Sequence, residues 1–368
     1  MKIVNKGRGA YFFVAVFGIT LFFVMFFIAP NTVFAPWEET AQWAVSTDTP
    51  PHSISDIGKP TSPDADTLVD DIPLTEPESS RVLFVGDIML ARAVEWSIKE
   101  EGAGYPFLLW DAGLFADADA VIGNFEGTIR DAEHIEQTNV MAFDTLPEYV
   151  TPLAGAGFTH LSLANNHADD FGQATTDFMR STITDVGITP FGDPFVSESF
   201  IARIDGGIPV SLVGFHAFNE ETASIVETIR TEDAAGNFVI VYPHWGVEYN
   251  HEPSISQTAA AQIWIDAGAD LIIGAHPHVV QTAEIINGVP VIYSLGNFLF
   301  DQDFSRATQI GAVADVTLSS SEILITFSPV SILHRQMFVD HELDETLRSW
   351  LGIDSLTWTI YRQKTQTP

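Results

Sequence analysis

Val82-Leu83-Phe84-Val85 is an unbroken apolar run that stops at Gly86-Asp87, and the same pattern recurs down the chain. A short apolar run bounded by glycine or polar residues is the signature of a strand covered on both faces. Such runs predict strands near 82–85, 119–123, 159–163, 209–214, 238–242, 270–274 and 289–294. Between them, apolar residues fall at helical spacing near 90–101, 146–156, 173–186 and 256–267. Alternating strands and helices predict an α/β fold built on a layered sheet. Asn287-Gly288, between two short β-like runs, predicts a tight hairpin. Residues 311–334 alternate as antiparallel strands do, so the sheets are expected to be mixed. No repeat of fixed period is present. Residues 342–368 are polar with scattered aromatics, and the pattern names no element there.

The N-terminus has a different texture. Tyr11 to Ala29 is a charge-free stretch of 19 residues. As a helix rising about 1.5 Å per residue it spans roughly 28 Å, close to the thickness of a bilayer's hydrocarbon core. Lys2, Lys6 and Arg8 precede it, and Glu38 and Glu39 follow. That asymmetry places residues 1–10 in the cytoplasm and the remainder outside the cell membrane. Trp37 and Trp43 suit the outer interface. The competing reading is a cleaved signal peptide with Val33-Phe34-Ala35 as its cleavage box. The length of the run and Pro36 just after the box favour an uncleaved, single-pass anchor. Residues 36–80 are rich in Pro, Ser, Thr and Asp and read as a solvated linker. A folded domain is expected over 81–340, followed by a tail over 341–368.

Composition narrows the chemistry. The chain of 368 residues carries 16 basic and 49 acidic residues, a formal charge of −33. A nucleic-acid backbone is excluded as a partner, because phosphate binding needs a basic surface. There is no cysteine. Disulfides, thiolate metal sites and cysteine nucleophiles are therefore excluded, and any metal must be held by His, Asp, Glu or Asn.

The residues that follow each predicted strand supply such groups. Val82–Val85 leads to Asp87, Ala120–Ile122 to Glu126, and Leu161–Ala164 to Asn165-Asn166-His167. Val239–Pro243 leads to His244, and Leu271–Ile273 to His276-Pro277-His278. Singly, each has an ordinary explanation. Asp87 could cap a helix starting near Met89, Asn165 or Asn166 could be a turn residue, His244 a packed ring and Glu126 a surface charge. Together they recur at one topological place, the carboxyl ends of strands, where open α/β sheets bind ligands. Carboxylate, amide and imidazole without thiolate form a ligand set for Zn, Mn, Fe or Mg. The groups suffice for two ions, which in phosphoester and amide hydrolases stand about 3.5–4 Å apart. The other histidines, His52, His134, His160, His216, His251, His334 and His341, lack this context and read as structural or surface residues.

Six segments carry a family resemblance. They are Gly86–Arg92, Asn124-Phe125-Glu126, Ala164–Gly172, His244–Tyr249, Gly274–Gln281 and Tyr293–Gln302. In this order, and over roughly 81–330, the chain resembles the CapA family of bacterial capsule-synthesis and poly-gamma-glutamate biosynthesis proteins, a branch of the calcineurin-like metallophosphoesterases. The resemblance implies a four-layer α/β sandwich with a metal site at one sheet edge, holding one or two divalent ions, Mn, Zn or Fe. By that analogy Asp87 binds one ion and Glu126 bridges both. Asn166, His244 and His276 complete the second, and His278 returns to the first. His167 is then the general acid or stabilises the leaving oxygen, Arg92 contacts an anionic substrate group, and Asn297 helps to order the site. Two positions depart from the pattern. Met89 stands where metallophosphoesterases at large carry a histidine, and a thioether is a poor ligand for a hard ion. Ala275 stands where relatives often carry His.

Two functions follow from the resemblance. One is a membrane-anchored hydrolase acting outside the cytoplasmic membrane on a phosphoester or on the gamma-linked glutamate polymer. The other is a non-catalytic component of a polyglutamate synthesis or export assembly that binds the anionic polymer. Met89 favours the second, and His167 with its neighbours the first. The strong negative charge repels a polyanion at long range, so polymer binding needs a local basic or metal-bearing patch. A solute-binding module is the weakest reading, because it needs no histidine cluster.

Overall fold

The computed structural model describes residues 78–130, 141–195, 201–219 and 221–362. The apolar stretch 11–29, linker residues 36–77, His52 and His134 lie outside the described residues, and so do the expectations made for them. Among the described residues no helix is long and apolar enough to cross a membrane.

In chain order the elements are β1 (Ser79–Ile88), α1 (Arg92–Glu101), β2 (Ala120–Phe125), β3 (Thr128–Ile129), β4 (Asp144–Thr145), α2 (Thr151–Gly155) and β5 (His160–Ser162). There follow α3 (Gln173–Asp185), β6 (Thr189–Phe191), β7 (Ala202–Ile204), β8 (Val210–His216), α4 (Val226–Ala234), β9 (Phe238–His244), α5 (Ile255–Ala267) and β10 (Leu271–Ile273). The rest are β11 (Ala283–Ile286), β12 (Val289–Ile292), β13 (Asn297–Leu299), β14 (Ile310–Ser319), β15 (Glu322–Leu333), β16 (Gln336–Val339), α6 (Asp344–Leu351) and β17 (Thr357–Tyr361).

Two mixed sheets result. The first runs β16-β15-β14-β1-β2-β5-β6, with β13 also along β1 and β17 along β15. Its half from β1 to β6 is parallel, and β14 to β16 are antiparallel. The second runs β11-β12-β10-β9-β8-β7, parallel in the middle and antiparallel at both edges. The predicted hairpin forms between β11 and β12, with Asn287 and Gly288 both at positive φ, as a primed turn requires.

Strand periodicity divides the core into three. Val82 and Phe84 of β1 point to the same apolar cluster as Leu212, Ile240 and Ile273 of the second sheet. Leu83 and Val85 point the other way, into a cluster with Val94 of α1, Leu153 of α2 and Met179 of α3. On the far side, Val239, Val241 and Ile272 pack on Ile229 of α4 and Trp264 of α5. The layers therefore run helix, sheet, sheet, helix. Both faces of the central strands are buried, which is why those strands read as unbroken apolar runs. Fully burying such a side chain contributes roughly 1.5–3 kcal/mol. With both faces occupied by hydrocarbon, polar chemistry is left to the strand ends.

The elements differ from the sequence reading in identifiable places. The expected helix at 146–156 is a short 3₁₀ turn, Pro147–Tyr149, followed by the single turn of α2. Pro147 and Pro152 withhold the N–H groups that a continuous helix needs. The linker expected to reach residue 80 ends sooner, because Ser79 and Ser80 already pair with β14. Residues 341–368, expected as a tail, include α6 and β17, and β17 adds to the first sheet along β15. Leu347 and Leu351 of α6 and Ile360 of β17 fill the core between the sheets, so the domain continues past residue 340. In α6 only Leu347 and Leu351 are buried, and its other positions are mostly charged or polar, so its apolar content is too small to stand out in sequence.

Glycine matters most where β1 meets the loop before β13. A Cβ on Gly86 would lie 1.7 Å from the carbonyl oxygen of Gly296, whereas one on Gly155 meets nothing within 4 Å. Gly86→Ala is expected to cost at least about 3 kcal/mol. Gly155→Ala, in a helical turn, is expected to be neutral or stabilising by up to about 1 kcal/mol. Chemical denaturation of the two variants beside the parent checks the contrast, and equal midpoints would contradict it.

Candidate metal centre

The site lies where the carboxyl ends of the parallel strands of both sheets approach each other. From the first sheet come Asp87 of β1, Asn124 of β2, Glu126 just beyond it, and Asn165-Asn166-His167 after β5. From the second come His244, the last residue of β9, and His276 and His278 beyond β10. Asp87 pairs in register with Asn124 on one side and Asn297 of β13 on the other. His244 pairs with Ala275, two residues beyond β10, so the chain leading to His276 is carried along the neighbouring strand end. Asp87, Glu126, His167, His244, His276 and His278 are all buried, and Asn166 is half-buried.

The residues expected to act together fall into connected groups. Asp87, Glu126 and His278 each offer one ligand atom, and these atoms all lie within 4.8 Å of one another. His278 Nδ1 is 3.5 Å from Asp87 Oδ2, and its Nε2 is 3.6 Å from Glu126 Oε1. Beside them, His244 Nε2 lies 2.8 Å from Asn166 Oδ1 and 3.1 Å from His276 Nδ1. Asn124 joins the two groups. Its Nδ2 donates to Asp87 Oδ1 at 2.8 Å and stands 3.1 Å from His244 Nδ1. Asn165 in turn donates to Asn124 Oδ1 at 3.1 Å and to the Phe125 carbonyl at 2.8 Å. The His276 backbone N–H donates to both oxygens of Asp87, at 3.1 and 3.3 Å.

Asp87 is thus held by its neighbours and caps no helix, while Glu126 is not so provided for. Its Oε2 is buried and makes no hydrogen bond. A buried carboxylate oxygen without a donor is costly, and a cation offsets that cost. Two carboxylates and an imidazole also match the donor preferences of Zn, Mn and Fe. The residues therefore fit a divalent ion at Asp87, Glu126 and His278.

Electrostatics agree with the geometry. Burial raises the Glu126 carboxyl well above its ordinary range, and the Asp87 and Glu248 charges add to the rise. Burial alone would lower the His278 ring, but the Glu126 and Asp87 carboxylates and Asn297 carry it to about 9. His276 is pushed down to about 3 by burial and by His278. His244 falls well below its ordinary value, through burial first and His276 second. Around neutral pH, His276 and His244 are uncharged and keep a lone pair for a ligand, while His278 holds a proton between two carboxylates.

His167 stands at the edge of this cluster. Its Nδ1 is 2.9 Å from Asp170 Oδ2, whose carboxylate also accepts the Phe143 N–H at 2.8 Å. The opposite nitrogen, Nε2, faces Glu126 Oε1 at 3.9 Å. The ring stacks on Phe143, with centroids 3.8 Å apart. Arg92, expected to meet substrate, is held by Asp301 through Nε and Nη2 and lies over the Phe143 ring at 4.3 Å. Met89 takes no part. It is buried in the core under the helices, and its sulfur accepts the Ala91 N–H. Four residues around the site, Arg92, Tyr249, His276 and His278, hold positive φ without being glycine. Such backbone costs of order 1–3 kcal/mol each and persists where surrounding structure imposes it.

The sequence reading located the ligand-type residues but missed much of their support. Asn124, Asn165, Asp170 and Asp301 each fix a site residue. Asp170 could have been found from its spacing, three residues after His167 on the same turn. Asn297 does orient His278, its Oδ1 lying 2.9 Å from Nδ1. His216, read as structural, is buried opposite His244 on β8. No local signal predicts Asp301, which reaches Arg92 across 209 positions.

The model of the family described as "Bacterial capsule synthesis protein PGA_cap" matches residues 81–302. The "PGA biosynthesis protein CapA" of Bacillus subtilis (strain 168) is 31% identical over 270 residues, covering 68% of this chain and 69% of that protein. The "Capsule biosynthesis protein CapA" of Bacillus anthracis is 29% identical over 287 residues, covering 70% of this chain and 68% of that protein. Among solved structures, that of TT1561 of Thermus thermophilus aligns with a TM-score of 0.38 at 11% identity, over 65% of this chain and 98% of that one. By the span of the family match and the extent of the Bacillus subtilis relative, the chain belongs to the bacterial capsule synthesis protein family PGA_cap.

Proposed function

We propose that this chain is a metal-dependent hydrolase of metallophosphoesterase type, anchored in the cell membrane by residues 11–29 and acting outside it. Its role is in capsule or poly-gamma-glutamate biogenesis, in association with the polymer's synthesis or export machinery. The observation that carries the reading is Glu126: a buried carboxylate with one unpartnered oxygen, facing Asp87 and His278. The names of the relatives support the biological setting, and the charge asymmetry around 11–29 supports the topology.

Asp87, Glu126 and His278 would hold one divalent ion, and Asn166, His244 and His276 supply ligand-type atoms for a second. A cation in this place supplies Lewis acidity toward a phosphoryl or carbonyl oxygen. The chain's own residues do the rest. Asn124 and the His276 N–H fix the Asp87 carboxylate, and Asn297 fixes the His278 ring. Asp170 holds His167 by Nδ1, which leaves Nε2 free to give a proton to a leaving oxygen. Phe143, stacked on the same ring, keeps water from its face.

Met89 favours a second reading. Where a ligand histidine is usual in metallophosphoesterases, this chain buries a thioether in its core. On that reading the crevice binds polymer without cleaving it. Metal content and turnover of the full chain on phosphodiester and polyglutamate substrates, with Mn or Zn, separate the two. Bound metal with no turnover selects the binding role. Metal content near zero, unchanged in His276→Ala with His278→Ala, removes both metal readings.

Glu126→Gln is expected to leave thermal stability of the metal-free protein unchanged or raised, since it removes a buried charge. The same variant is expected to weaken metal binding by at least about tenfold. A parallel loss of both properties would show Glu126 to be structural. His167→Ala is expected to lower turnover by roughly 10²–10⁴ while bound metal, read by elemental analysis, stays constant. Metal affinity is expected to depend on pH in one direction. Below about 9 the His278 ring carries a proton that a cation must displace. The raised Glu126 carboxyl must also be deprotonated to bind, so affinity rises with pH, by up to about tenfold per unit for each proton displaced, and the His278 contribution levels off near 9. Calorimetric titrations between pH 6.5 and 8.5 check the slope, and a flat profile would contradict it.

A further inference from the structure

The loop after β13 carries one positive charge more than its own acids hold. Its residues 301–308 stand beside Tyr249. Gln302 donates to the Tyr249 hydroxyl at 3.2 Å, and Phe304 meets the Tyr249 ring edge-on, with centroids 5.2 Å apart. Tyr249 in turn lies nearly parallel to His278, at 6.0 Å. The loop is fixed from both sides. Asn297, which orients His278, donates through Nδ2 to Gln302 Oε1 at 3.1 Å and to the Thr308 carbonyl at 2.9 Å. Thr308 Oγ1 closes the loop on the Gln302 carbonyl at 2.6 Å. From the other side Arg335, in the turn between β15 and β16, reaches Asp303 at 3.1 Å.

Both acids of the loop are therefore occupied, Asp301 by Arg92 and Asp303 by Arg335. Arg306 is left over. It is exposed, and no group among the described residues holds its guanidinium. Every other described lysine and arginine pairs with a carboxylate, except Arg348. Arg348 lies in the last turn of α6, where free carbonyl groups favour a cation. Arg306 has no such reason, because it stands just before the 3₁₀ turn Ala307–Gln309. In a chain of formal charge −33, an arginine that no acid has claimed is an exception. Its planar fork matches a carboxylate through two parallel hydrogen bonds.

We propose that Arg306 is a carboxylate-binding subsite at the mouth, taking a free carboxylate of an anionic polyamide whose next units lie toward the buried cluster. A gamma-linked glutamate chain has this chemistry, since every unit leaves its alpha carboxylate free. The inference rests on the reading of the chain as acting on that polymer, and it names a residue that selects it. The overall charge repels such a polymer at long range, so capture depends on a local cation. Arg306 supplies one for which no internal acid competes. It does so on a loop already tied to Asn297 and Tyr249, so little backbone ordering is needed on binding.

Calorimetry on the full chain loaded with Mn, with a short poly-gamma-glutamate oligomer as probe, tests this. The oligomer is expected to bind with an affinity that falls as salt rises. Arg306→Ala is expected to weaken binding by at least about tenfold, through loss of a charge-assisted contact, and to flatten the salt dependence. Arg306→Lys keeps the charge without the fork and is expected to recover only part of the loss. Arg230→Ala removes an equal charge from the exposed face of α4 and is expected to change affinity by less than about twofold. Mn stoichiometry is expected to be unchanged in all three variants. Oligomer binding that Arg306→Ala leaves unchanged, or that Arg230→Ala weakens equally, overturns the proposal. A short polyphosphate held as tightly through Arg306 overturns the choice of a carboxylate. No oligomer binding by a chain that retains Mn overturns the subsite and leaves the metal reading intact. Binding that weakens with Arg306→Ala alone, in a chain that takes up no Mn, sustains the subsite and removes the metal site.

Discussion

Two carboxylates, Asp87 and Glu126, are enclosed at the meeting point of two sheets with protonated His278 between them. Enclosure of two like charges is unfavourable unless positive charge sits with them. The surrounding structure is organised around that requirement. Asn124 and a backbone N–H satisfy Asp87, Asn297 steers His278, and two residues with positive φ deliver His276 and His278. Glu126 keeps one unsatisfied oxygen, on the carboxylate that, with Asp87 and His278, is best placed to hold a cation.

The sandwich architecture explains why the site is where it is. Central strands bury both faces, so a polar side chain within them has no solvent and needs a partner, as Ser211 finds in Glu232 and Tyr242 in the Val85 carbonyl. The carboxyl ends, where β1, β2 and β5 approach β9 and β10, are where acids, amides and imidazoles gather in one cluster. Gly86 lets the loop before β13 press against β1, and that contact sets Asn297 opposite Asp87. Close backbone packing and ligand orientation are thus the same feature seen at two scales.

The site also grades outward. At the bottom lie the buried ligand-type atoms. Above them His167 is backed by Asp170, and Arg92 is pinned between Asp301 and the Phe143 ring. At the mouth stand open aromatic rings among carboxylates. The cationic Arg92 is held by Asp301, so the positive charge that draws an anionic polymer to this crevice is left largely to a cation bound at its floor.

The sequence by itself determined the strands, their doubly buried character and the residue types at their ends, because hydrophobic periodicity is a local property. Val82–Val85 and Leu271–Ile273 announce themselves within four residues, and the ordered motifs around Asp87, Glu126, His167, His244 and His276 identify the family. Only the tertiary structure decided which of those residues meet. It joined Asp87, Glu126 and His278 into one group, put Met89 into the core, tied Arg92 to Asp301, and drew α6 and β17 into the fold. These depend on contacts between positions far apart in the chain, whose energies come from burial and register, and neither is written in the order of neighbouring residues.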